Sequence, residues 1–423
     1  MHFALRTGRK ITAKRGASIM KKNRLQAFLF ILPALLIIGV FSLWPIFQSL
    51  RYTFFDYQLN NQQKSGLYMS PRYNFSLFDE TQTYVRLFLT EDREKITDPA
   101  DRQKADKLVH HVADVAKQYK GRKGVQKISK ADQKKLMGLY TDSSKLVKEI
   151  NAKYDTPNGK NLSKIVKDFK SSFVPSNFTG FKSYKEALHD KRLGHALWNT
   201  VLFTVVSVFL EFVLGLGLAM IMNKAFKGQG IVRTTSLIPW AIPTAVAALM
   251  WSYLYDGTSG VVAHFFQSIG LISDSRILLL TGSGAMVSTI LADVWKTTPY
   301  MALLLLAGLQ NISKGLYEAA SIDGATKIQQ FFKITLPMLK SSILVALLFR
   351  TLDAFRVFDL IYVLTGGGPG GATETMSVYG YKTMFGQTNF GYGSVIVIIM
   401  FICVAIIATI YIKVLGANLM DKN

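Results

Sequence analysis

Six long apolar runs punctuate the chain, at roughly 27–50, 195–222, 235–255, 284–309, 341–364 and 393–415. Each is long enough for a helix to cross the ~30 Å of hydrocarbon in a bilayer. The pattern predicts an all-α polytopic membrane protein of about six transmembrane helices. Pro33 and Pro45 in the first run, and Pro239 and Pro243 in the third, mark kinks or breaks that neighbouring helices must satisfy. Between the first and second runs lies a long polar segment, 51–192, which is Lys-rich but not featureless. Ser129 with Asp132 is a helix-start signal, after which Leu136, Leu139, Tyr140, Leu146, Val147 and Ile150 recur at helical spacing. Asn158-Gly159 reads as a turn, and Ile165, Val166 and Phe169 as part of a further amphipathic helix. A small helical domain outside the membrane, over roughly 79–174, is the expectation. It is either a docking surface for a partner or a solvated spacer, and its position favours the first.

Charge sets the orientation. The first 26 residues form a basic tail (Arg6, Arg9, Lys10, Lys14, Arg15, Lys21, Lys22, Arg24), and basic residues return at Lys224, Lys227 and Arg233 and at Lys314, Lys327, Lys333 and Lys340. By the positive-inside rule these segments, the short tail 416–423 and hence both termini are cytoplasmic, in a cell membrane. The 51–192 segment then lies outside, where long loops escape the rule. The first run lacks a small-residue cleavage site and reads as a retained span. The net charge of +23 would suit nucleic acid, but much of it flanks apolar runs, where lipid headgroups explain it better. The lone cysteine, Cys403, rules out a disulfide framework, and His110-His111 has no partners at metal-ligand spacing, so no metal site is expected. No GxxxxGK[ST] phosphate loop occurs, and the Gly366–Gly371 cluster reads as a tight turn after the fifth run. The chain is therefore not expected to hydrolyse ATP itself.

The polar stretch between the fourth and fifth runs carries the most specific signal. Glu318, Ala319, Ala320, Asp323, Gly324 and Ala325, followed by Phe332, Ile334, Leu336 and Pro337, keep the order and spacing of one family signature. Physically it is a short helix broken at Asp323-Gly324, with small residues leaving one face free for docking and Pro337 halting the segment. The stretch resembles the coupling loop of permease subunits in binding-protein-dependent ABC importers. IPWAIP (Ile238 to Pro243) and LTGGGP (Leu364 to Pro369) extend that resemblance to carbohydrate importers of the maltose-permease type, over roughly Leu193 to the C-terminus. The resemblance implies the type I importer fold, with a permease core at 193–415 and a coupling loop at 310–338. It also implies a heterodimer with a second permease, two ATPase subunits that bind ATP and Mg, and an external solute-binding protein. Glu318 would contact the ATPase, with Asp323 and Gly324 shaping the helix and turn. The cargo implied is a disaccharide or oligosaccharide, maltodextrin- or trehalose-like.

Charged and polar residues inside the apolar runs are the second signal, because a charge in hydrocarbon is costly unless paired or wetted. Arg350, Asp353, Arg356 and Asp359 recur at steps of three, so they read either as a cavity wall for sugar hydroxyls or as an ion-pair ladder along one helix. By resemblance, the sugar-contacting positions of this run fall at Arg350, Asp353, Ala354 and Val357, and those of the fourth run at Lys296, Thr297 and Tyr300. Relatives of the maltose type carry Ser, Phe and Asn types in the fifth run, and that departure argues against maltose itself. A bland alternative makes Tyr300 packing and pairs Lys296 with Asp293; Glu211 reads as a helix–helix hydrogen bond. Other readings are an importer for an anionic solute such as glycerol-phosphate, a stand-alone secondary transporter, and a membrane enzyme, for which no catalytic constellation is evident.

Overall fold

The computed structural model describes residues 28–224 and 227–420, so the basic tail and the last three residues lie outside it. Four helices are long and apolar enough to cross a membrane unaided: Phe28–Tyr52, Lys191–Asn223, Gly282–Gln310 and Phe390–Val414. They correspond to the first, second, fourth and sixth expected spans. The third and fifth are bent pairs. Gln229–Ala241 meets Thr244–Leu254 at 89°, and Lys327–Met338 meets Lys340–Phe355 at 66°, so the crossing count reaches six if each pair is one span.

The third span breaks for a local reason. Pro243 has no N–H to continue the ladder, and it drives Ile242 into extended backbone (ψ 133°). The fifth span departs from expectation at its far end. Its helix stops at Phe355, and a separate short helix, Asp359–Leu364, follows after a turn. Arg356 and Asp359 therefore do not continue the helix that carries Arg350 and Asp353; Asp353 pairs with both Arg350 and Arg356, and Asp359 does not join them.

Spans two and four form the spine of the core. At Gly215 an added Cβ would fall 2.8 Å from Met301 Cγ and 3.3 Å from the Ala302 nitrogen, so only glycine permits this approach. Gly308 likewise sits against Ser342 of the fifth span. By contrast, no residue of span one is buried among the described residues, and most of its surface is left for lipid or another subunit. After the fifth span the glycine cluster does form a turn, with positive φ at Gly366, Gly367, Gly370 and Gly371.

Outside the spans, residues Arg72 to Val174 make a compact α+β unit with its own core, not the purely helical one expected, and it begins earlier than 79. Three short antiparallel strands, β1 (Arg72–Asn74), β2 (Val125–Lys127) and β3 (Phe173–Val174), are ordered β2-β1-β3. Four helices pack behind them: α1 (Phe75–Asp92), α2 (Pro99–Gln118), α3 (Lys130–Lys153) and α4 (Gly159–Ser171). Strands this brief carry too few residues for a period-of-two pattern, and that is why the sequence hid them. The predicted start of α3 is a full capping box between Ser129 and Asp132. Leu136, Leu139, Val147, Ile150, Val166 and Phe169 are buried together with Tyr73, Phe75 and Phe78. The linker before the unit ties to the start of span six, where the Gly391 N–H donates to the Tyr57 carbonyl at 3.0 Å, and it bonds the linker after the unit, the Asp56 N–H donating to the Asn177 carbonyl at 2.8 Å.

Candidate functional site

The bend in span three opens a cavity of about 540 Å³ between that span and spans four and five. Lys296, Thr297, Arg350, Asp353, Ala354 and Val357, six of the seven candidate ligands, line it. Their roles divide sharply. Arg350 is only 1% exposed and is held on every side. Its Nε and Nη2 donate to the two oxygens of Glu211 at 2.6 and 2.8 Å, a bidentate fork across to span two. Nη1 donates to Asp353 at 2.6 Å, and Nη2 also reaches Asp293 at 3.2 Å. The Thr297 hydroxyl lies 2.7 Å from Glu211 Oε1, completing the knot. Glu211 therefore does make the helix–helix hydrogen bond read from the sequence, but its main partner is an arginine 139 positions away, which spacing within one helix cannot reveal.

Lys296 does not pair with Asp293. Its Nζ donates to the carbonyls of Ile242 (2.6 Å) and Trp240 (3.3 Å), two acceptors that the break at Pro243 leaves without helical partners. The lysine thus caps the broken span. Tyr300 does not line the cavity. Its ring stacks on Trp240 (centroids 5.5 Å apart, planes 11° apart), and Trp240 and Phe358 are the rings that line the space. Sequence reasoning singled out the segment around Trp240 as a family motif but missed the tryptophan itself as a wall of the site.

What remains accessible is a smaller set. Asp353 is 59% exposed and Arg356 66%, with 3.7 Å between Asp353 Oδ1 and Arg356 Nη2. Asp359, at the start of its short helix, also borders the cavity and makes no ion pair among the described residues. A carboxylate, a guanidinium and an exposed indole face in one cavity can hydrogen-bond neighbouring hydroxyls and cover an apolar ring face.

The polar stretch between spans four and five folds as its motif predicts. Helix Lys314–Ile322 ends with Gly324 at φ +79°, where the Gly324 N–H bonds the Ser321 carbonyl (3.2 Å) and the Ala325 N–H bonds the Ala320 carbonyl (2.8 Å). Glycine is required there because an L side chain in left-handed backbone is strained. Gln330 clamps the turn through Ser321 Oγ (2.8 Å), and the Tyr317 hydroxyl meets Thr335 Oγ1 at 2.9 Å. Glu318, Ala319, Asp323 and Gly324 are exposed, while Ala320 and Ala325 are half-buried. Ile322, Ile328 and Phe332 beside them are exposed apolar groups that none of the described residues covers. Among the described residues no group of His, Cys, Asp and Glu is arranged to hold a metal ion.

Broken spans around a central polar cavity, joined to a rigid exposed helix between spans, define a multi-pass membrane transport component. Residues 211–420 match the family described as "Binding-protein-dependent transport system inner membrane component". The chain is 44% identical over 244 residues to the trehalose/maltose transport system permease protein MalF of Thermococcus litoralis, covering 57% of this chain and 82% of that one. It is 45% identical over 240 residues to the trehalose transport system permease protein SugA of Mycobacterium tuberculosis (57% and 76% covered). To the sulfoquinovosyl glycerol transport system permease protein SmoG of Agrobacterium fabrum it is 39% identical over 245 residues (58% and 79% covered). A bacterial ABC transporter that imports alginate has the same fold, at TM-score 0.51 and 23% identity over 56% of this chain and 84% of that one. The chain belongs to the inner membrane components of binding-protein-dependent transport systems.

Proposed function

We propose that the chain is the transmembrane subunit of an ATP-driven importer for a neutral disaccharide or oligosaccharide, and that the cavity beneath Trp240 takes the sugar. The observation that carries the reading is the division of charge in that cavity. Arg350 and Lys296, two of the three cations that line the cavity, are consumed by Glu211 and by backbone carbonyls, and the third, Arg356, faces the Asp353 carboxylate at 3.7 Å. Asp353, Arg356 and the Trp240 face are left for the solute, a set suited to vicinal hydroxyls on a pyranose. The trehalose/maltose and trehalose relatives support the same class of cargo.

In this account the exposed helix at Lys314–Ile322 docks in a groove of an ATPase subunit, with Glu318 at the contact and the Gly324 turn keeping the helix rigid. ATP and Mg bind on that partner. Closure of two ATPase subunits tips this chain and a second permease from inward-open to outward-open, and an external solute-binding protein delivers the sugar. Such a shift requires different contacts in the two states, and ATP supplies them on the ATPase side. Both termini lie in the cytoplasm of the cell that bears the transporter.

The test is ATPase activity of the co-purified complex in lipid, with its solute-binding protein and a panel of α-linked sugars. Stimulation by a liganded neutral sugar supports the reading. Stimulation only by an anionic solute such as glycerol-phosphate overturns the choice of cargo, and transport by this chain with no ATPase subunit overturns the coupling.

A further inference from the structure

We propose that the external α+β unit holds a binding site for a phosphate-bearing anion. A cavity of about 520 Å³ opens between the first turns of α1, the end of α2 and the loop that leads into β2. Arg86, Lys117, Lys120, Arg122 and Lys123 line it against one carboxylate, Asp79. Some cations elsewhere in the unit are matched: Arg93 pairs with Asp106 at 2.9 Å, and Lys104 and Lys153 share Asp101 at 2.9 and 2.7 Å. Lys120, Arg122 and Lys123 make no such pair among the described residues. Arg86 has only a 3.4 Å contact to Gln82, and Lys117 a loose 3.3 Å contact to exposed Asp114. Asp132, the next carboxylate, already accepts from the Tyr119 hydroxyl at 2.7 Å and serves the capping box of α3.

Five cations around one cavity with a single opposing carboxylate repel one another, and an anion between them relieves that cost. The site is also shaped. The Arg122 guanidinium lies 5.1 Å above the Phe75 ring and 5.5 Å above the Tyr119 ring, which fixes its plane at the rim. A guanidinium so held matches two oxygens of a phosphate, and the lysines add point charges. Phe75 and Phe78 below provide an apolar floor for a short stem attached to that phosphate.

Position favours one source of phosphate. The cavity adjoins β1 and β2, and β1 and β3 are where the chain enters and leaves the unit, the first linker being bonded to the start of span six. The cavity therefore lies at the end of the unit nearest the spans, and the proposed site faces the lipid headgroups. A phospholipid headgroup and a free phosphate share the chemistry, and the experiment separates them.

The full chain in its complex, purified in phosphate-free detergent, is titrated with inorganic phosphate and separately with a short-chain phosphatidylglycerol. Calorimetry and hydrogen exchange of 117–124 provide the readouts. The expected result is saturable binding of the lipid probe with protection of that loop, weakened about tenfold or more when Lys120→Gln, Arg122→Gln and Lys123→Gln are combined. Binding of inorganic phosphate with the same sensitivity supports the site and assigns it to a soluble anion. The uncharged polar replacements leave Phe75 and Phe78 unaltered, and exchange across α3 and α4 reports whether the unit stays folded. No binding of either probe, or binding unchanged in a folded triple variant, overturns the proposal.

Discussion

The buried knot around Arg350 makes a quantitative demand on stability. Glu211 is fully buried and Asp293 nearly so, and among the described residues Arg350 is the one cation that pairs with both. Replacing Arg350 with Met keeps much of the volume but leaves two buried carboxylates without their guanidinium. Breaking a buried pair from one side costs about 3–5 kcal/mol. Two short charge-assisted bonds to Glu211, at 2.6 and 2.8 Å and each worth roughly 1.5–3 kcal/mol, give a figure of the same size. Glu211→Leu costs less, because Asp293 and Asp353 still neutralise Arg350. The double variant, Glu211→Leu with Arg350→Met, removes both ends and regains part of the loss, since an apolar replacement of a buried ion pair is often tolerated. The assay is reversible unfolding of the chain in mixed micelles, run as a double-mutant cycle. A coupling of about 2 kcal/mol or more is the expected result for charges in contact. If Arg350→Met unfolded like the parent yet abolished sugar-dependent uptake, Arg350 would be a ligand and the argument from its burial would fail.

Other expectations concern the coupling helix and the external unit. Glu318→Lys reverses the charge at an exposed position, so membrane insertion and basal ATPase activity should persist while sugar uptake per ATP falls steeply; unchanged uptake would remove Glu318 from the contact. Gly324→Ala forces left-handed backbone on an alanine at a cost of about 1–2 kcal/mol, and faster proteolysis at the 322–326 turn with reduced uptake is the outcome to look for. In the external unit, hydrogen bonds from Lys104 and then Lys153 pull the Asp101 carboxyl down to about 2. Because its pKa is lowered on folding, its contribution is complete above about pH 4 and is lost as pH falls through about 2. Asp101→Asn should therefore flatten the acid dependence of hydrogen exchange in α2 and α3 between those values; an unaltered acid profile would count against the pairing.

Much of this architecture was legible in the chain. Uninterrupted apolar runs gave spans two, four and six, because a helix in hydrocarbon must satisfy its backbone internally and needs length to cross. The exposed helix at Lys314–Ile322 was legible for a different reason: Gly324 and its neighbours encode a local C-cap. Sequence reading fell short where geometry is made by breaks and distant pairs. Pro243 announced a kink but not an 89° turn, and nothing near Lys296 indicated that it would serve the carbonyls which that turn exposes. The helix stop at Phe355 interrupts a run of residues that reads as continuous, so Arg350 looked like one rung of a ladder rather than the partner of Glu211. In the external unit α3 and α4 were visible by their periodicity, whereas α1, α2 and the two- and three-residue strands were not.

The account turns on Asp353 and its neighbours as the solute-facing part of the cavity, with Arg350 as its frame. The direct measurement is uptake of several α-linked sugars by the reconstituted complex carrying Asp353→Ala, with co-purification of the subunits followed in parallel. The account predicts an assembled complex whose order of preference among the sugars changes and whose apparent affinity for its best sugar falls about tenfold or more, the loss of one charge-assisted hydrogen bond. Failure to assemble, or an unchanged profile across the sugars, would contradict it.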